Sequence, residues 1–587
     1  MSTKAIGRQL LPVDGIEISA SPGNGLDLAQ DGVSLATVGA ASAVAQKRQS
    51  ARRPPYPKQR RDHPCACRGR LRNQGLRSRS RPPPVAGITI RRKIMHAPTA
   101  TPLVRSAPPR SRITNPGALL ALHPELRIDQ DIYNINVTAN FGATLTASET
   151  WQQIATHDGA QKPVHLYFHL PLCSYVCRFC NYVKRQAPTG AKLDDALDHW
   201  TGLLIEESQR YLRGAPWLSA ARVESLFLGG GTASLLRPRH LARIMRHVQD
   251  NYSVIPGCEA TLEGNPDNFL ADEVSDAIEI GFNRFSVGLQ SLDSKVNAFA
   301  GRGHDRQMSL KSIEKLSMGG RPFNADLMFG LPYHTADSVR DDVSLLVSMG
   351  VPTITIYCLR NADRHKMGIG NQAAWNNDKI RQRLHDQNLF PTLETTYAMR
   401  EAMVDVLLDA NYEPSPCGWW SAPGSYPDGN IPQVSRNKWQ NYDTMIGFGP
   451  GSYGWLAGIR PDPIQTRNIA DISAHARHVE SQSTAPLASG RRLTGAEAVA
   501  TALGFAFKSN QPISVQRFAR IYGVNLLSDE PYAGVIEDLM AKGLLEPVNG
   551  SSEYLKPTLD GETLHEEIIT THIHGRIGGV VAAVCRR

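Results

Sequence analysis

The chain has 587 residues, 41% of them hydrophobic and 20% charged. That is enough apolar mass for several packed domains of ordinary globular composition. No run of 18 apolar residues occurs, which excludes an apolar membrane-spanning helix, and the start, MSTKAIGRQLL, lacks the basic-then-apolar layout of a secretory signal. Nine cysteines, an odd number, are too few for a disulfide scaffold and fit a reducing, cytoplasmic setting. The net charge of +9 is local in origin: residues 47–94 hold 16 Lys or Arg against the single acid Asp62, and the part from Met95 onward is mildly acidic. That part has no electrostatic footprint for nucleic acid, so neither a nucleic-acid partner nor a membrane is expected.

Residues 1–94 read as a disordered basic tail. The Arg- and Pro-dense stretch Ala51–Arg92 has too few apolar residues to offset the entropy lost on ordering. A translation start at Met95 is the alternative, and a phosphate-binding arm a third. Cys65 and Cys67 sit in this tail with no second ligand pair nearby. Residues 115–160 form an N-terminal extension.

Six strand-length runs follow: Val164–Pro171, Val223–Gly230, Glu259–Pro266, Arg284–Ser291, Phe323–Gly330 and Thr353–Arg360. Amphipathic spacers such as Leu193–Leu212 and His240–Tyr252 separate them. Alternating strands and helices imply parallel βαβ units. The fold class expected is therefore α/β: a partial (β/α)6 TIM-type barrel over residues 161–370. A barrel-completing or substrate segment over 371–490 and a smaller C-terminal helical or winged domain over 491–575 follow it. Within that last domain Ile513–Leu545 has helix-turn-helix character and Glu546–Pro557 suits a two-stranded wing; the end, Ile577–Arg587, reads as frayed.

Each run ends in a chemically loaded group: a cysteine cluster after the first, Gly-Gly-Gly-Thr after the second, then Glu263, Gln290, Asp326 and Arg360. Active sites of α/β barrels lie at the C-terminal face of the strands, so this convergence points to an enzyme. The strongest single signal is Cys173-Ser-Tyr-Val-Cys177-Arg-Phe-Cys180. Three thiolates on one tight loop suit three irons of a [4Fe-4S] cluster, leaving the fourth iron open for a reactant. A zinc loop and buried free cysteines are the competing readings, with His169 the nearest further zinc ligand in sequence.

At these residues the sequence resembles the radical S-adenosylmethionine (SAM) enzymes, in the oxygen-independent coproporphyrinogen III oxidase-like (HemN-like) branch. The text YFHLPLCSYVCRFCNY is followed in order by LGGGT, LEGNPD, SVGLQSLDSKVNAFAGR, ADLMFGLP and GFGPGSYG. The resemblance implies that Cys173, Cys177 and Cys180 ligate the cluster and that Gly230, Gly231 and Thr232 meet the SAM amino group. It implies SAM contacts for Tyr167, Phe179, Glu263, Gln290, Arg302 and Asp326, with one or two SAM molecules bound, and puts Tyr167, Glu263 and Arg302 closest to the chemistry. Each also has a plain alternative: a capping acid, a core amide, a packed ring. It further implies reductive cleavage of SAM to a 5′-deoxyadenosyl radical, with electrons from a donor such as flavodoxin or ferredoxin.

One position departs from the pattern. The decarboxylating oxidase has a further cysteine two residues after the third ligand, where this chain has Tyr182. The relatives without it are a heme-trafficking chaperone, a heme-opening methyltransferase and methyltransferases of aromatic compounds. The expectation is thus a small-molecule substrate that is planar, aromatic or tetrapyrrole-like, with C-methylation first, oxidative decarboxylation second and heme carriage third. Trp419, Trp420 and Trp439 offer flat faces for such a substrate or for a core. Cys358 and Cys417 read as structural, and His334 and His365 as heme-ligand candidates by position alone.

Overall fold

A computed structural model describes residues 113–127, 141–359, 378–427 and 431–579. The basic tail, Met95, Arg360, His365 and the terminal 580–587 lie outside the described residues, as does the side chain of Cys417.

The six expected strands are present as β1 (Pro163–Leu170), β2 (Arg222–Gly230), β3 (Ser253–Gly264), β4 (Arg284–Gln290), β5 (Phe323–Phe329) and β6 (Thr353–Cys358). Each pairs in parallel with the next, and α-helices cross between them: α1 (Ala191–Gly214), α2 (Pro238–Asn251), α3 (Glu273–Ile280), α4 (Arg306–Met318) and α5 (Ala336–Ser348). A further helix, α6 (Leu393–Asp409), follows β6.

A seventh parallel strand lies within residues 430–455, which read from the sequence as a Gly-rich return inside the barrel-completing segment. Thr444–Phe448 (β7) lies beside β1, with Gly447 opposite Tyr167. Antiparallel strands β8 (Tyr453–Leu456), β9 (Ile464–Asn468) and β10 (Leu487–Arg492) continue outward from it. On the far side, Trp419–Ser421 pairs antiparallel with β6, so β6 does not close onto β1 or β7. The result is an open, partial barrel of mostly parallel strands.

Strand alternation sorts the chemistry. On β1, Val164, Leu166, Phe168 and Leu170 are fully buried against the helices, as are Phe285, Val287 and Leu289 on β4 and Phe323, Ala325 and Leu327 on β5. The intervening residues face the barrel interior, and they are largely polar. His165 Nδ1 lies 2.8 Å from Ser225 Oγ, Arg284 Nη1 donates to Thr261 Oγ1 at 3.1 Å, and Ser286 Oγ donates to Asp326 Oδ2 at 3.1 Å.

The C-terminal domain carries a helix Gly495–Lys508, helices Val515–Tyr522 and Tyr532–Ala541, and a three-stranded sheet of Ile513–Ser514, Ser551–Pro557 and Leu545–Val548. The wing thus has one strand more than expected. Its core joins Trp455 and Tyr453 of β8 with Leu503, Phe505 and Ile573, so the domain packs on the inner face of the extended sheet. Ile577 is 2% exposed and belongs to this core, which corrects the expectation of a frayed end at that residue. Among the described residues, no helix is long and apolar enough to cross a membrane.

Candidate functional site

The cysteine loop leaves β1 and docks against the glycine segment that ends β2. Gly231 N–H donates to Leu170 O at 2.7 Å and Thr232 N–H to Leu172 O at 2.7 Å. A Cβ on Gly231 would stand 2.4 Å from Leu172 O and 2.9 Å from Cys173 Sγ. Only glycine permits this approach. Gly230 has φ +111°, and a Cβ there would meet His169 Nδ1 at 2.8 Å. Its N–H points to Glu263 Oε2 at 3.4 Å.

The three thiols differ in burial, Cys173 being buried and Cys177 and Cys180 half-buried. Cys173 is 5% exposed, and burial, then Cys180 and Cys177, push its pKa up to about 12. Burial also raises Cys180, against the pull of Lys184. Arg302 Nη1 donates to Cys177 Sγ at 3.2 Å, and the Arg302 guanidinium stacks over the Tyr175 ring at 5.0 Å. Burial opposes the charge on Arg302, but Cys177 and Tyr175 hold its pKa above the usual value. Cys173 and Cys180, whose burial favours the protonated thiol, and Cys177, which faces a cationic donor, suit a bound metal group, which would supply the charge that releases thiol protons. Among the described residues, no three side chains converge as ligands of a single ion do; a cluster spreads its thiolates over separate irons. The loop, its cation and the glycine approach therefore fit a three-cysteine cluster.

Around the loop, the other expected residues fall in two groups. Tyr167, Gly230, Glu263 and Asp326 face the barrel interior together. Burial, then the charge of Asp326, lifts Glu263 to about 7, and burial lifts Asp326 to about 6. Asp326 Oδ1 also accepts from Asn324 Nδ2 at 2.8 Å. Arg302, Thr232 and Gln290 cluster nearer the cysteines. Gln290 ends β4 at φ +67° beside a register shift between Gly288 and Gln290. Phe179 stands apart from both groups, packed on a small apolar cluster with Val296, Ala300, Met328 and Leu331.

Two residues take site roles that the sequence reading did not give them. Asn265, 7% exposed, donates to Thr232 Oγ1 at 3.1 Å and accepts from Arg302 Nη2 at 3.0 Å, tying the glycine segment to the cation. It sits inside LEGNPD, so the motif was visible but the residue carries no titratable signal. His169 is the other. Its Nε2 lies 2.8 Å from Val183 O, a carbonyl, so that nitrogen donates and Nδ1 accepts from Tyr167 OH at 2.7 Å. Burial lowers its pKa to about 4, which keeps the ring neutral. His169 thus spans the Cys loop and Tyr167 rather than standing ready as a metal ligand.

The tryptophans divide. Trp420 is fully buried core, whereas Trp419 lies over the Arg284 guanidinium at 5.0 Å and Trp439 under Lys438 Nζ at 4.6 Å. His334 is 5% exposed and neither ring nitrogen has a partner. Cys358 lines a separate cavity with Tyr397, Arg400 and Glu562.

The radical SAM superfamily model matches residues 167–346, the span that holds the cysteine loop and the ends of β1 to β5. Over residues 167–346 the chain carries the domain of the radical SAM superfamily. Members of that superfamily use a [4Fe-4S] cluster and SAM. This radical SAM protein is 29% identical over 222 residues to anaerobilin synthase of Escherichia coli O157:H7, covering 38% of this chain and 48% of that protein, about half its length. It is 24% identical over 408 residues to heme chaperone HemW of Bacillus subtilis, covering 68% of this chain and 97% of that one. The fold is HemN-like: coproporphyrinogen III oxidase (HemN) of Escherichia coli superposes with a TM-score of 0.58 at 18% identity, covering 75% of this chain and 98% of that one.

Proposed function

We propose that this radical SAM enzyme cleaves SAM and acts on a tetrapyrrole-like substrate held inside the open barrel. The observation that carries the reading is the three-cysteine loop backed by Gly231 and capped by the Arg302–Cys177 contact, opening onto a lumen lined by Tyr167, Glu263 and Asp326. Cys173, Cys177 and Cys180 would hold the cluster, which would supply the electron for reductive cleavage of SAM. The chain's own residues then orient and shield. The bare backbone of Gly230 and Gly231 lets a cationic amino group approach the strand end. Glu263 and Asp326 offer acceptors whose protonation lies close to neutrality, and Tyr167 keeps its proton, donated to His169 Nδ1. Phe179 and the cluster beneath it exclude water from the loop's outer side.

The tetrapyrrole part of the reading is supported by relatives named for heme and anaerobilin. Those relatives give no support to the C-methylation expected from the sequence. A second reading, heme carriage, is favoured by one observation: the match to the heme chaperone HemW of Bacillus subtilis runs over 97% of that protein.

Anaerobic reconstitution with iron and sulfide, followed by reduction with SAM and heme, separates the two. Formation of 5′-deoxyadenosine that disappears in Cys177→Ala supports the enzyme. A loaded cluster that binds heme and cleaves no SAM overturns it in favour of the chaperone.

A further inference from the structure

Several cations of this protein meet a carboxylate. Arg400 meets Glu562 at 2.6 Å, Lys508 meets Glu566 at 2.8 Å, and Arg460 and Arg492 share Asp462. Arg467 and Lys438, both half-buried, meet none among the described residues. Arg467 on β9 lies with its guanidinium 5.4 Å from the Tyr453 ring centroid, and no carboxylate is within ion-pair distance of it among the described residues. Burial holds its pKa below the usual value, with only Tyr453 pulling it back. Lys438 Nζ donates to Tyr453 OH at 3.0 Å and lies 5.4 Å from the same ring, again with no carboxylate within ion-pair distance among the described residues. A cation withdrawn from water without a counter-charge costs free energy that a bound anion recovers.

The two cations stand where a substrate would reach. Tyr453 lies 6.2 Å, centroid to centroid, from Tyr167, and the charge of Lys438 is felt at Glu263 in the lumen. Flat apolar faces adjoin them: Trp439 packs 5.1 Å from Phe505, and Trp455 stacks on Tyr453 at 6.0 Å. The patch joins the inner face of the sheet to the C-terminal domain.

We infer that Lys438 and Arg467 form a subsite for carboxylate groups of a planar aromatic substrate, which Tyr453 and Trp439 hold by their faces. The inference rests on the tetrapyrrole-like reading for its substrate, but its chemistry, an anion on an aromatic plane, is tested separately. Tryptophan fluorescence of the full chain reports binding of two acid–neutral pairs: protoporphyrin IX against its dimethyl ester, and 2-naphthoate against 2-naphthamide.

The wild type is expected to prefer each acid by about tenfold, the equivalent of ~1.4 kcal/mol. The Lys438→Met/Arg467→Met protein is expected to lose the preference, and Lys438→Arg to keep it, which separates charge from folding. A naphthoate preference lost in the double variant, with no porphyrin binding, supports the subsite and overturns the tetrapyrrole reading. Porphyrin acid and ester bound equally overturn the subsite and leave that reading standing, as does a preference that survives the double variant. A double variant that loses affinity for SAM while keeping the acid preference also overturns it, because the anion is then the carboxylate of SAM.

Discussion

Arg302 and Cys177 are joined by an N–H···S contact of 3.2 Å across 125 residues of sequence. The guanidinium that makes it also donates to Asn265 Oδ1 at 3.0 Å and to the Gly288 carbonyl, so its position is fixed from three strand ends. Arg302 therefore ties one sulfur of the cysteine loop to β3 and β4. A charge-assisted hydrogen bond of this kind contributes about 1.5–3 kcal/mol. Arg302→Gln is expected to release iron to a chelator about tenfold faster than wild type, with Arg302→Lys in between, as followed by visible absorbance after anaerobic reconstitution. Equal release rates for all three would show that the contact does not hold the loop's metal group.

Gly231 tests the docking of the loop on β2. Its missing Cβ would lie 2.4 Å from Leu172 O, a backbone atom that cannot swing away. Overpacking of this sort costs about 1–3 kcal/mol and displaces the neighbouring backbone. Gly231→Ala is expected to lower reconstituted iron content and to cut 5′-deoxyadenosine formation by more than tenfold, since a shift at Leu172 moves Cys173 with it. Gly202, in the middle of α1, is the control: nothing lies within 4 Å of its Cβ position. Gly202→Ala should leave iron content unchanged and raise stability by up to about 1 kcal/mol.

The strand ends and the cysteine loop were legible because their signals are local. Apolar runs of strand length, a C-x3-C-x2-C spacing and a glycine triplet need no knowledge of distant residues. What was hidden depended on pairing across long separations. Thr444–Phe448 lies wholly within the Gly-rich stretch 430–455, and only its contact with β1 makes it a strand. His169 reads as a spare zinc ligand until Val183 O fixes its tautomer. Asn265 has no signal of its own, and its role comes from lying between Thr232 and Arg302. The lumen itself was half visible: alternation predicts which residues turn inward, not that Lys438 from a distant segment joins them.

Glu263 gives the protein a pH signature. Its pKa in the folded chain, about 7, lies above the ordinary carboxylate value near 4.5 because of burial and the nearby Asp326. Between those values the folded state binds the extra proton, so this group's contribution favours folding at low pH and is lost as pH rises through 7. Glu263→Gln removes the ionisation. Relative to wild type without metal, the variant's Tm is expected to rise progressively from pH 5.5 to pH 8, as read by circular dichroism. A difference that is flat across this range would mean that Glu263 ionises as it does in water.

Arg400 and Glu562 hold the C-terminal domain to α6. Their 2.6 Å contact is buried, with side chains 9% and 3% exposed, and Arg400 also donates to Thr114 O at 3.2 Å and Thr563 Oγ1 at 3.3 Å. Removing one partner strands a buried charge and costs about 3–5 kcal/mol, whereas replacing both with apolar groups costs far less. Arg400→Met is therefore expected to lower the urea midpoint sharply, and Arg400→Met/Glu562→Leu to recover most of the loss. The same pair borders the cavity that Cys358 lines, so Cys358 should react faster with a maleimide in Arg400→Met than in the double variant. If the single and double variants unfold at the same midpoint, the attraction between the two charges contributes nothing to docking, and the apolar contacts of the C-terminal domain with β8 hold it alone.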